Sequence, residues 1–314
     1  MTDPRAHSYS VVIPVYNSEQ VVETTIDDVV GVFAAHGLPL QLVLVNDGSR
    51  DHSWEVVSAK VRKIPGAVAV NLLKNYGQHH ANLAGLRETT GDYVVTMDDD
   101  GQNPADQVPL LIDAALAGGH DVVFGRYEQK QAPPYRRIGS GLIGLVNRRI
   151  FNQPADLTVS NFRILRRDVV DRICASQTAH PYVTGQALLY SSHRGNVTVR
   201  HAARASGSSN YGARRILRLV LTILFSYSSW PLRALAAMGF GVAALSFVLG
   251  GIYLVKGLVD DTQVEGWTTI VVLLAIFNGF TIGMLSMLGE YVVRTLNAVS
   301  APDTYHVRER VHGE

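Results

Sequence analysis

The first part of the chain alternates strand-like and helix-like runs, and this alternation restricts the possible folds more than any other feature. Five short runs rich in apolar and β-branched residues have the character of strands: Ser10–Val15, Gln41–Asn46, Ala67–Leu72, Tyr93–Met97 and Asp121–Gly125. Helical apolar spacing lies between them, near Glu19–His36, Ser53–Lys63, Gln78–Thr89 and Ala105–Ala117. Regular alternation of this kind produces right-handed βαβ units. The sequence therefore predicts an α/β domain with a mainly parallel sheet over residues 1–205.

Three carboxylates stand where the fourth of these strands should end. Asp98, Asp99 and Asp100 follow Tyr93–Met97 directly. Because side chains alternate along an extended chain, Asp98 and Asp100 should lie on one side and Asp99 on the other. Open α/β sheets bind ligands at the carboxyl ends of their strands, and two carboxylates there suit Mg2+ or Mn2+ bridging to phosphates. A solvated acidic turn is the alternative interpretation of the triplet taken alone.

Polar motifs also follow the other strands. Residues 13–19 read Ile-Pro-Val-Tyr-Asn-Ser-Glu, residues 45–51 read Val-Asn-Asp-Gly-Ser-Arg-Asp, and residues 74–80 read Lys-Asn-Tyr-Gly-Gln-His-His. Each motif taken alone is common in turns. The Asn-Ser-Glu after the first strand could also cap the next helix. Together with the carboxylates they place four polar groups at one sheet edge. This concentration favours a ligand site over simple solubility.

The composition changes near Ser226, after which two uncharged apolar runs appear. Ala234–Val255 and Trp267–Gly289 are each roughly 20 residues long, enough to cross a hydrocarbon core of about 30 Å. The short connection between them is acidic, whereas arginines flank their other ends, so the positive-inside rule places the N-terminal domain and both termini in the cytoplasm. A pair of buried helices in a soluble domain is the alternative. Gly279 and Gly283 have the spacing of close helix packing.

The sequence thus predicts three segments after the α/β domain. Residues 206–233, basic and apolar, are expected to lie in the plane of the membrane surface, although an ordinary amphipathic domain helix is the competing interpretation. Residues 234–289 form the transmembrane hairpin, with spans at 234–255 and 267–289, and residues 290–314 form a cytoplasmic tail. A multi-pass protein of the cytoplasmic membrane is therefore expected.

Charge and cysteine content exclude some classes of partner. The formal net charge is +1 and 18% of residues are charged, so no nucleic acid partner is expected. The one cysteine, Cys174, cannot form an internal disulfide and suits a reducing compartment. Residues 1–8 contain no long apolar core, so we expect no cleaved signal peptide.

Four of these motifs, in this order and spacing, resemble the inverting family 2 glycosyltransferases of GT-A fold: Ile-Pro-Val-Tyr-Asn, Asn-Asp-Gly-Ser, Asn-Tyr-Gly-Gln and Met-Asp-x-Asp-x-Gln-x-Pro. Residues 204–211, 225–233 and 289–294 narrow the resemblance to polyprenyl-phosphate glycosyltransferases. These include the bactoprenol glucosyltransferases, the undecaprenyl-phosphate formamidoarabinose transferases and, more distantly, the dolichol-phosphate mannose synthases. The chain departs from their usual Ala at position 99 and Leu at position 101, having Asp99 and Gly101.

The resemblance implies a role for particular residues. The nucleotide-sugar donor would be held by Pro14, Tyr16, Asn17, Glu19, Asp47, Gly48, Gln78 and Asp98, with Asp47 near the base. Asp98, Asp100 and Gln102 would hold the metal, Mg2+ or Mn2+. Arg126, Arg137 and Ser140 match positions that grip the lipid phosphate, with Arg136 as an alternative to Arg137. Arg163 matches an active-site arginine that follows a second acidic element, here Asp156.

The implied reaction is the inverting transfer of a sugar from a nucleotide diphosphate, UDP before GDP, to a polyprenyl phosphate. An ionised phosphate nucleophile needs no strong general base, so His79 and His80 are expected to be structural. The lipid bilayer is an expected partner, and a homo-oligomer is expected. Two alternatives are a processive polysaccharide synthase, whose Gln-x-x-Arg-Trp element is absent from the sequence, and a non-catalytic nucleotide-sugar sensor.

Overall fold

The computed structural model describes residues 3–127, 144, 147–176, 178, 181–200, 202, scattered positions between 223 and 252, 266–300 and 304–314. The chain forms two compact units. The first comprises Met1–Val220 together with Asp303–Glu314, and the second comprises Leu221–Pro302. The last residues of the chain thus belong to the first unit.

The first unit contains one eight-stranded sheet in the order β7-β5-β6-β4-β1-β2-β3-β8. The strands are β1 (Tyr9–Val15), β2 (Leu40–Asn46), β3 (Val68–Leu72), β4 (Tyr93–Thr96), β5 (Val122–Tyr127), β6 (Arg163–Arg166), β7 (Arg194–Val199) and β8 (Val307–His312). Strands β4, β1, β2 and β3 run parallel as neighbours, and β5 and β7 are also parallel. Strand β6 is antiparallel to both β4 and β5, and β8 is antiparallel to β3.

The helices connect these strands. They are α1 (Val22–His36), α2 (Ser53–Val61), α3 (Gln78–Glu88), α4 (Val108–Gly118), α5 (Arg167–Ala175), α6 (Val183–Leu189) and, in the second unit, α7 (Trp267–Ser300). The parallel strands are buried along almost their whole length because helices pack on the sheet, which explains their nearly continuous apolar sequences. Gly85 lets α3 lie close to the sheet, since an added Cβ would be 2.4 Å from Cγ1 of Val12.

The sequence prediction of five strands and four intervening helices is confirmed, with shifts of a few residues at the ends. The pattern missed β6, β7 and β8. Strand β6 is short and bounded by arginines, and β7 contains glycine and polar residues. The sequence predicts a tail over residues 290–314, but Val311 of β8 is buried in the core, and His306 and Gly313 continue the backbone hydrogen bonding beyond the two ends of β8.

In the second unit, α7 is 34 residues long and contains the whole of the second predicted span. Only scattered residues of the first span are described. A Cβ built on Gly239 would lie 2.8 Å from Sδ of Met284, so the two apolar segments approach closely there. No described residue lies within 4 Å of a Cβ built on Gly279 or Gly283, so the close contact that these glycines were expected to make is found at Gly239 instead.

Among the residues described, no helix combines the length and the hydropathy that crossing a membrane requires. The interfacial segment predicted over residues 206–233 lies outside the described residues except for Ile223.

Candidate active site

The loops that follow β1 and β2 are joined by side chain to backbone hydrogen bonds. Asn17 adopts a left-handed conformation, with φ of 53°, and its Oδ1 accepts the backbone N–H of Arg50 at 2.9 Å. Ser49 in turn accepts the N–H of Asn17 at 3.0 Å, and Glu19 accepts the N–H of His52 at 2.8 Å. Because β1 and β2 are parallel neighbours, both loops leave the sheet at the same edge. Two of the predicted donor-binding residues, Asn17 and Glu19, therefore also hold this edge together.

The helix-capping role expected for residues 17–19 is not found. The residue that precedes α1 is Val21, and its side chain makes no capping hydrogen bond. Backbone contacts take the place of a side-chain cap, because the carbonyl of Ser18 accepts the N–H groups of Val21 and Val22. The side chains of this loop are used to join it to its neighbours instead.

Asp47 connects the loop after β2 with the loop after β3. Its two carboxylate oxygens accept the backbone N–H groups of Tyr76 at 2.7 Å and Gly77 at 2.9 Å. Burial raises the pKa of Asp47 to about 6, although both N–H groups oppose the shift. Gly48 has φ of 63°, and an added Cβ would lie 2.4 Å from the backbone of Lys74. The glycine is therefore required by the close approach of the two loops.

The side chain of Asp99 faces the loop after β1. It does not face the groups that Asp98 and Asp100 contact. Its Oδ2 accepts the backbone N–H of Tyr16 at 3.1 Å and the hydroxyl of Ser18 at 2.5 Å. Burial raises the pKa of Asp99 to about 6, and these two donors oppose the shift. The side chain of Asp99 therefore makes contacts different from those of Asp98 and Asp100, as the alternation of side chains along an extended chain predicts.

Asp98 receives three amide donors. Its Oδ1 accepts Nδ2 of Asn161 at 2.5 Å and the side-chain amide of Gln78, and its Oδ2 accepts Nδ2 of Asn103 at 3.4 Å. Burial and then the adjacent charge of Asp100 raise the pKa of Asp98 to about 6. Gln78, predicted to contact the donor, therefore contacts the predicted metal-binding carboxylate.

Asp100 and Gln102 lie on the turn that follows, whose tight geometry depends on Gly101 with φ of 70°. The backbone N–H of Gln102 donates to Oδ1 of Asp100 at 3.1 Å. Within the described ranges, no group of three or more His, Cys, Asp or Glu side chains is arranged to hold a metal ion. Two like-charged carboxylates of which one has a raised pKa nevertheless fit a divalent cation, because Mg2+ is usually held by one or two carboxylates together with substrate phosphates.

Arg163 lies beneath this site and is fully buried. Its guanidinium donates to Oγ1 of Thr184 at 2.8 Å and to Oδ1 of Asn161 at 3.5 Å, while its Nε has no hydrogen-bond partner among the described residues. Burial lowers the pKa of Arg163 to about 10, and the nearby Tyr182 and Asp98 oppose the shift. The arginine expected to act at the reacting groups therefore reaches Asp98 through Asn161.

The predicted acceptor residues are only partly described. Arg126 is exposed near the end of β5, where its guanidinium donates to Oγ1 of Thr198 at 3.4 Å. Arg136, Arg137 and Ser140 lie outside the described residues, so their grouping with Arg126 stays a prediction. Asp156 is exposed.

The two histidines of α3 have different surroundings. His79 packs edge-on against Tyr182, with ring centroids 5.1 Å apart, and burial followed by the charge of Arg163 lowers its pKa to about 3. It is therefore uncharged at neutral pH. His80 lies against the ring of Tyr76 at 6.2 Å. These contacts agree with the structural role expected for the pair.

Sequence reasoning missed several polar residues around Asp98. Asn103, which is almost fully buried, accepts the hydroxyl of Tyr127 at 2.7 Å, and buried Asn82 of α3 donates to Asn161 at 3.0 Å. The one signal available was position: Asn103 follows the acidic turn and Asn161 precedes a strand. Their partners come from α3 and β5, which no local pattern relates to the acidic turn.

Comparison with known proteins agrees with this geometry. The model of the family "Glycosyl transferase family 2" matches residues 10–174. The undecaprenyl-phosphate 4-deoxy-4-formamido-L-arabinose transferase of Pseudomonas aeruginosa is 34% identical over 305 residues, covering 96% of this chain and 89% of the relative. The enzyme of that name from Edwardsiella ictaluri is 33% identical over 307 residues, covering 96% and 94%.

Solved structures support the fold. The glucosyl-3-phosphoglycerate synthase of Mycobacterium tuberculosis, in complex with Mn2+, UDP-glucose and phosphoglyceric acid, superimposes with a TM-score of 0.53 at 20% identity, covering 70% of this chain and 79% of that one. A complex of the same enzyme with Mn2+, UDP and glucosyl-3-phosphoglycerate gives a TM-score of 0.52 at 22% identity, covering 71% and 80%. The first unit has the GT-A fold, and the chain belongs to glycosyl transferase family 2.

Proposed function

We propose that this protein transfers a sugar from a nucleotide diphosphate sugar to the phosphate of undecaprenyl phosphate or a similar polyprenyl phosphate. The observation that carries the proposal is that the loops after β1, β2 and β3 and the acidic turn after β4 meet at one sheet edge. Asp47 joins the loops after β2 and β3, Asp99 joins the acidic turn to the loop after β1, and Asp98 of the same turn accepts the side-chain amide of Gln78. Such an edge is where open α/β sheets bind nucleotides. The acceptor class follows from relatives named as undecaprenyl-phosphate transferases that match nearly the whole chain.

The donor is proposed to be a UDP-sugar. Support comes from the solved relatives of the same fold, which contain UDP or UDP-glucose. In this chain, Tyr16 and Asn17 are exposed on the loop after β1, beside the loop that contains Asp47. These residues are therefore available to a nucleotide, although Asp47 already accepts two backbone N–H groups and would have only its remaining lone pairs to offer a base.

The proposed reaction inverts the anomeric centre. A phosphate oxygen of the acceptor attacks the anomeric carbon, the bond from that carbon to the nucleotide diphosphate breaks, and the diphosphate leaves with the bonding electrons. The acceptor phosphate is already ionised at neutral pH, so no side chain has to remove a proton, which agrees with an uncharged, packed His79. The protein must instead align two anionic groups, the donor diphosphate and the acceptor phosphate.

Asp98, Asp100 and Gln102 are proposed to hold Mg2+ or Mn2+ on the donor diphosphate. When bound, the metal would offset the negative charge that develops on the leaving diphosphate. Asp98 is fixed by three amides, while Asp100 lies on the turn at Gly101. Arg126 and Arg137 are proposed to provide further positive charge in the site and to hold the lipid phosphate.

The protein is proposed to be anchored in the cytoplasmic membrane by residues 234–289, with the first unit and both termini in the cytoplasm. The support is the uncharged apolar sequence of the two runs and the exposed apolar side chains of α7, among them Ile282, Leu285 and Val292, which are 64%, 61% and 60% exposed. Labelling of single cysteines placed in the connection at 256–265 and in residues 304–314, in sealed vesicles, would test the orientation. Both sites labelled from the same side would contradict a hairpin.

The transfer itself is tested with purified full-length protein in detergent, polyprenyl phosphate and a panel of labelled nucleotide sugars. We expect label to move to the lipid for one sugar, with chelator stopping the reaction and Mn2+ or Mg2+ restoring it. Binding of a nucleotide sugar without transfer would favour the sensor alternative, and formation of a polymer would favour a processive synthase. Size-exclusion chromatography with light scattering would measure whether the protein is the homo-oligomer expected.

A further inference from the structure

The hydrogen bonds of Asp98 define which way its carboxylate faces. The shorter of its two bonds from asparagine amides joins Nδ2 of Asn161 to Oδ1 at 2.5 Å. Asn161 also accepts the hydroxyl of Thr96 through its backbone carbonyl at 2.6 Å, which fixes the main chain before β6 against β4. Both the side chain and the backbone of Asn161 therefore contact the segment that delivers Asp98.

The amide of Asn161 can face Asp98 in only one way. Its Oδ1 accepts Nδ2 of Asn82 at 3.0 Å and lies 3.5 Å from Nη2 of Arg163. Both donors are fully buried. An amide turned around would place its NH2 group against the Arg163 guanidinium and its oxygen against the Asp98 carboxylate, two unfavourable contacts. The buried donors thus direct the N–H of Asn161 at Asp98.

The other carboxylate oxygen of Asp98 also accepts a hydrogen bond from an asparagine amide, but this bond is longer. Asn103 donates to Oδ2 at 3.4 Å, and its own Oδ1 accepts the hydroxyl of Tyr127 at 2.7 Å. Each asparagine is therefore oriented by a donor on its carbonyl end, and each presents an N–H group to Asp98. Because the contact of Asn161 is shorter and has two orienting partners, it is the stronger of the two.

We propose that Asn161 is a positioning residue that fixes the Asp98 carboxylate for the metal and donor diphosphate, with Asn82 and Arg163 setting the orientation of its amide. The inference rests on the proposed function. Groups that orient a metal-binding carboxylate in this way typically change metal affinity or activity about 10- to 100-fold when they are lost. The buried Arg163 then acts on the site indirectly, by orienting the amide of Asn161.

The test compares Asn161→Ala with Asn196→Ala as a matched control. Asn196 also ties the segment before β6 to the sheet, through Phe124 and Thr158, but it makes no contact with Asp98. Mn2+ binding in the presence of UDP is measured by electron paramagnetic resonance, together with the apparent KM for Mn2+, kcat and thermal unfolding. We expect Asn161→Ala to weaken Mn2+ binding about 10- to 100-fold, with a smaller change in kcat, and Asn196→Ala to bind Mn2+ as the wild type does.

A double-mutant cycle separates positioning from a general structural effect. If Asn161 acts through Asp98, Asn161→Ala should weaken Mn2+ binding no further in an Asp98→Asn background. Equal Mn2+ binding by Asn161→Ala and the wild type, or full additivity in the cycle, would overturn the proposal. If Asn161→Ala does not fold, Asn82→Ala decides, since it removes an orienting donor without touching Asp98: weaker Mn2+ binding supports the proposal and unchanged binding overturns it.

Failure of the proposed function gives a different result. A wild-type protein that binds no Mn2+ with UDP and transfers no sugar would contradict the function itself. A wild-type protein that does both, while Asn161→Ala behaves identically, would contradict only the role of Asn161.

Discussion

Ser18 donates its hydroxyl to the carboxylate of Asp99 at 2.5 Å, joining the loop after β1 to the acidic turn after β4. The backbone N–H of Tyr16 donates to the same oxygen at 3.1 Å. Asp99 therefore holds the loop that presents the proposed nucleotide-binding residues Tyr16 and Asn17. A carboxylate in the middle of a DDD triplet thus has a structural task different from those of its neighbours.

Substitution Asp99→Ala is expected to destabilise the fold and to weaken donor binding. It removes the acceptor of two hydrogen bonds, each of which contributes about 1 kcal/mol, so the free energy of unfolding should fall by about 1–2 kcal/mol. Denaturant unfolding and calorimetric titration with UDP would measure the two effects. Asp27→Ala, which removes an exposed carboxylate of α1, is the control. Stability and UDP affinity equal to the wild type would contradict the assignment.

Asp100→Asn is expected to lower turnover without destabilising the fold. It keeps an acceptor oxygen for the N–H of Gln102 but loses the charge that a divalent cation needs. Turnover should fall by orders of magnitude while the melting temperature stays close to that of the wild type. Radiolabel transfer and thermal unfolding measure the two quantities. A loss of turnover that merely follows a loss of folded protein would refute a direct role for this carboxylate.

Local patterns in the sequence predicted the sheet, its helices and its polar edge because those features depend on nearby residues. The alternation of apolar runs gave β1 to β5, and the carboxylates after β4 indicated the edge that binds ligands. The network around Asp98 was not predictable in this way. Asn82, Asn103 and Asn161 come from three separate segments, and only the folded sheet brings them together.

Strand β8 could not be predicted from local sequence patterns either. Half of the residues of Val307–His312 are charged, which is typical of a solvated tail. Antiparallel pairing with β3 leaves most of its side chains exposed, so charge is compatible with the strand, and only Val311 is buried. Edge strands commonly carry charged side chains of this kind.

The affinity for Mn2+ should depend on pH below neutrality. Burial and the neighbouring charge of Asp100 raise the pKa of Asp98 to about 6, and a carboxylate must be ionised to hold the metal. Protonation therefore competes with the metal below pH 6, so affinity should rise with pH up to about 6 and then level off. Mn2+ titrations in the presence of UDP between pH 5 and pH 8 would show this. Asp98→Asn should remove the dependence, and a flat profile for the wild type would contradict it.

Strand β8 is expected to stabilise the first unit. Val311 packs into the core beside β3, whereas Arg308 on the same strand is exposed. Val311→Asp should therefore lower the free energy of unfolding by about 2–4 kcal/mol, because it buries a charge without a partner. Arg308→Asp, the matched control, should change it by less than about 0.5 kcal/mol. Equal stability of the two variants would show that β8 is dispensable.

The lipid acceptor needs positively charged partners in the site. A lipid phosphate has to approach a donor diphosphate, and two anions at close range repel strongly unless cations lie between them. Arg126 is exposed near the end of β5, and its contact with Thr198, at 3.4 Å, leaves most of its guanidinium available to a phosphate. We therefore expect Arg126→Ala to raise the apparent KM for polyprenyl phosphate about 10-fold or more, and Arg137→Ala to act in the same direction.

Donor affinity separates this assignment from a role in nucleotide binding. Calorimetric titration with UDP should give nearly the wild-type affinity for Arg126→Ala. Arg126→Lys should restore lipid use only partly, because lysine keeps the charge but loses the two parallel donors of the guanidinium. Arg62→Ala is the control, since Arg62 is an exposed arginine at the far end of α2, where the chain returns to the opposite edge of the sheet. If Arg126→Ala weakened UDP binding and kept its response to lipid concentration, Arg126 would belong to the donor site, and the acceptor phosphate would have to be placed elsewhere.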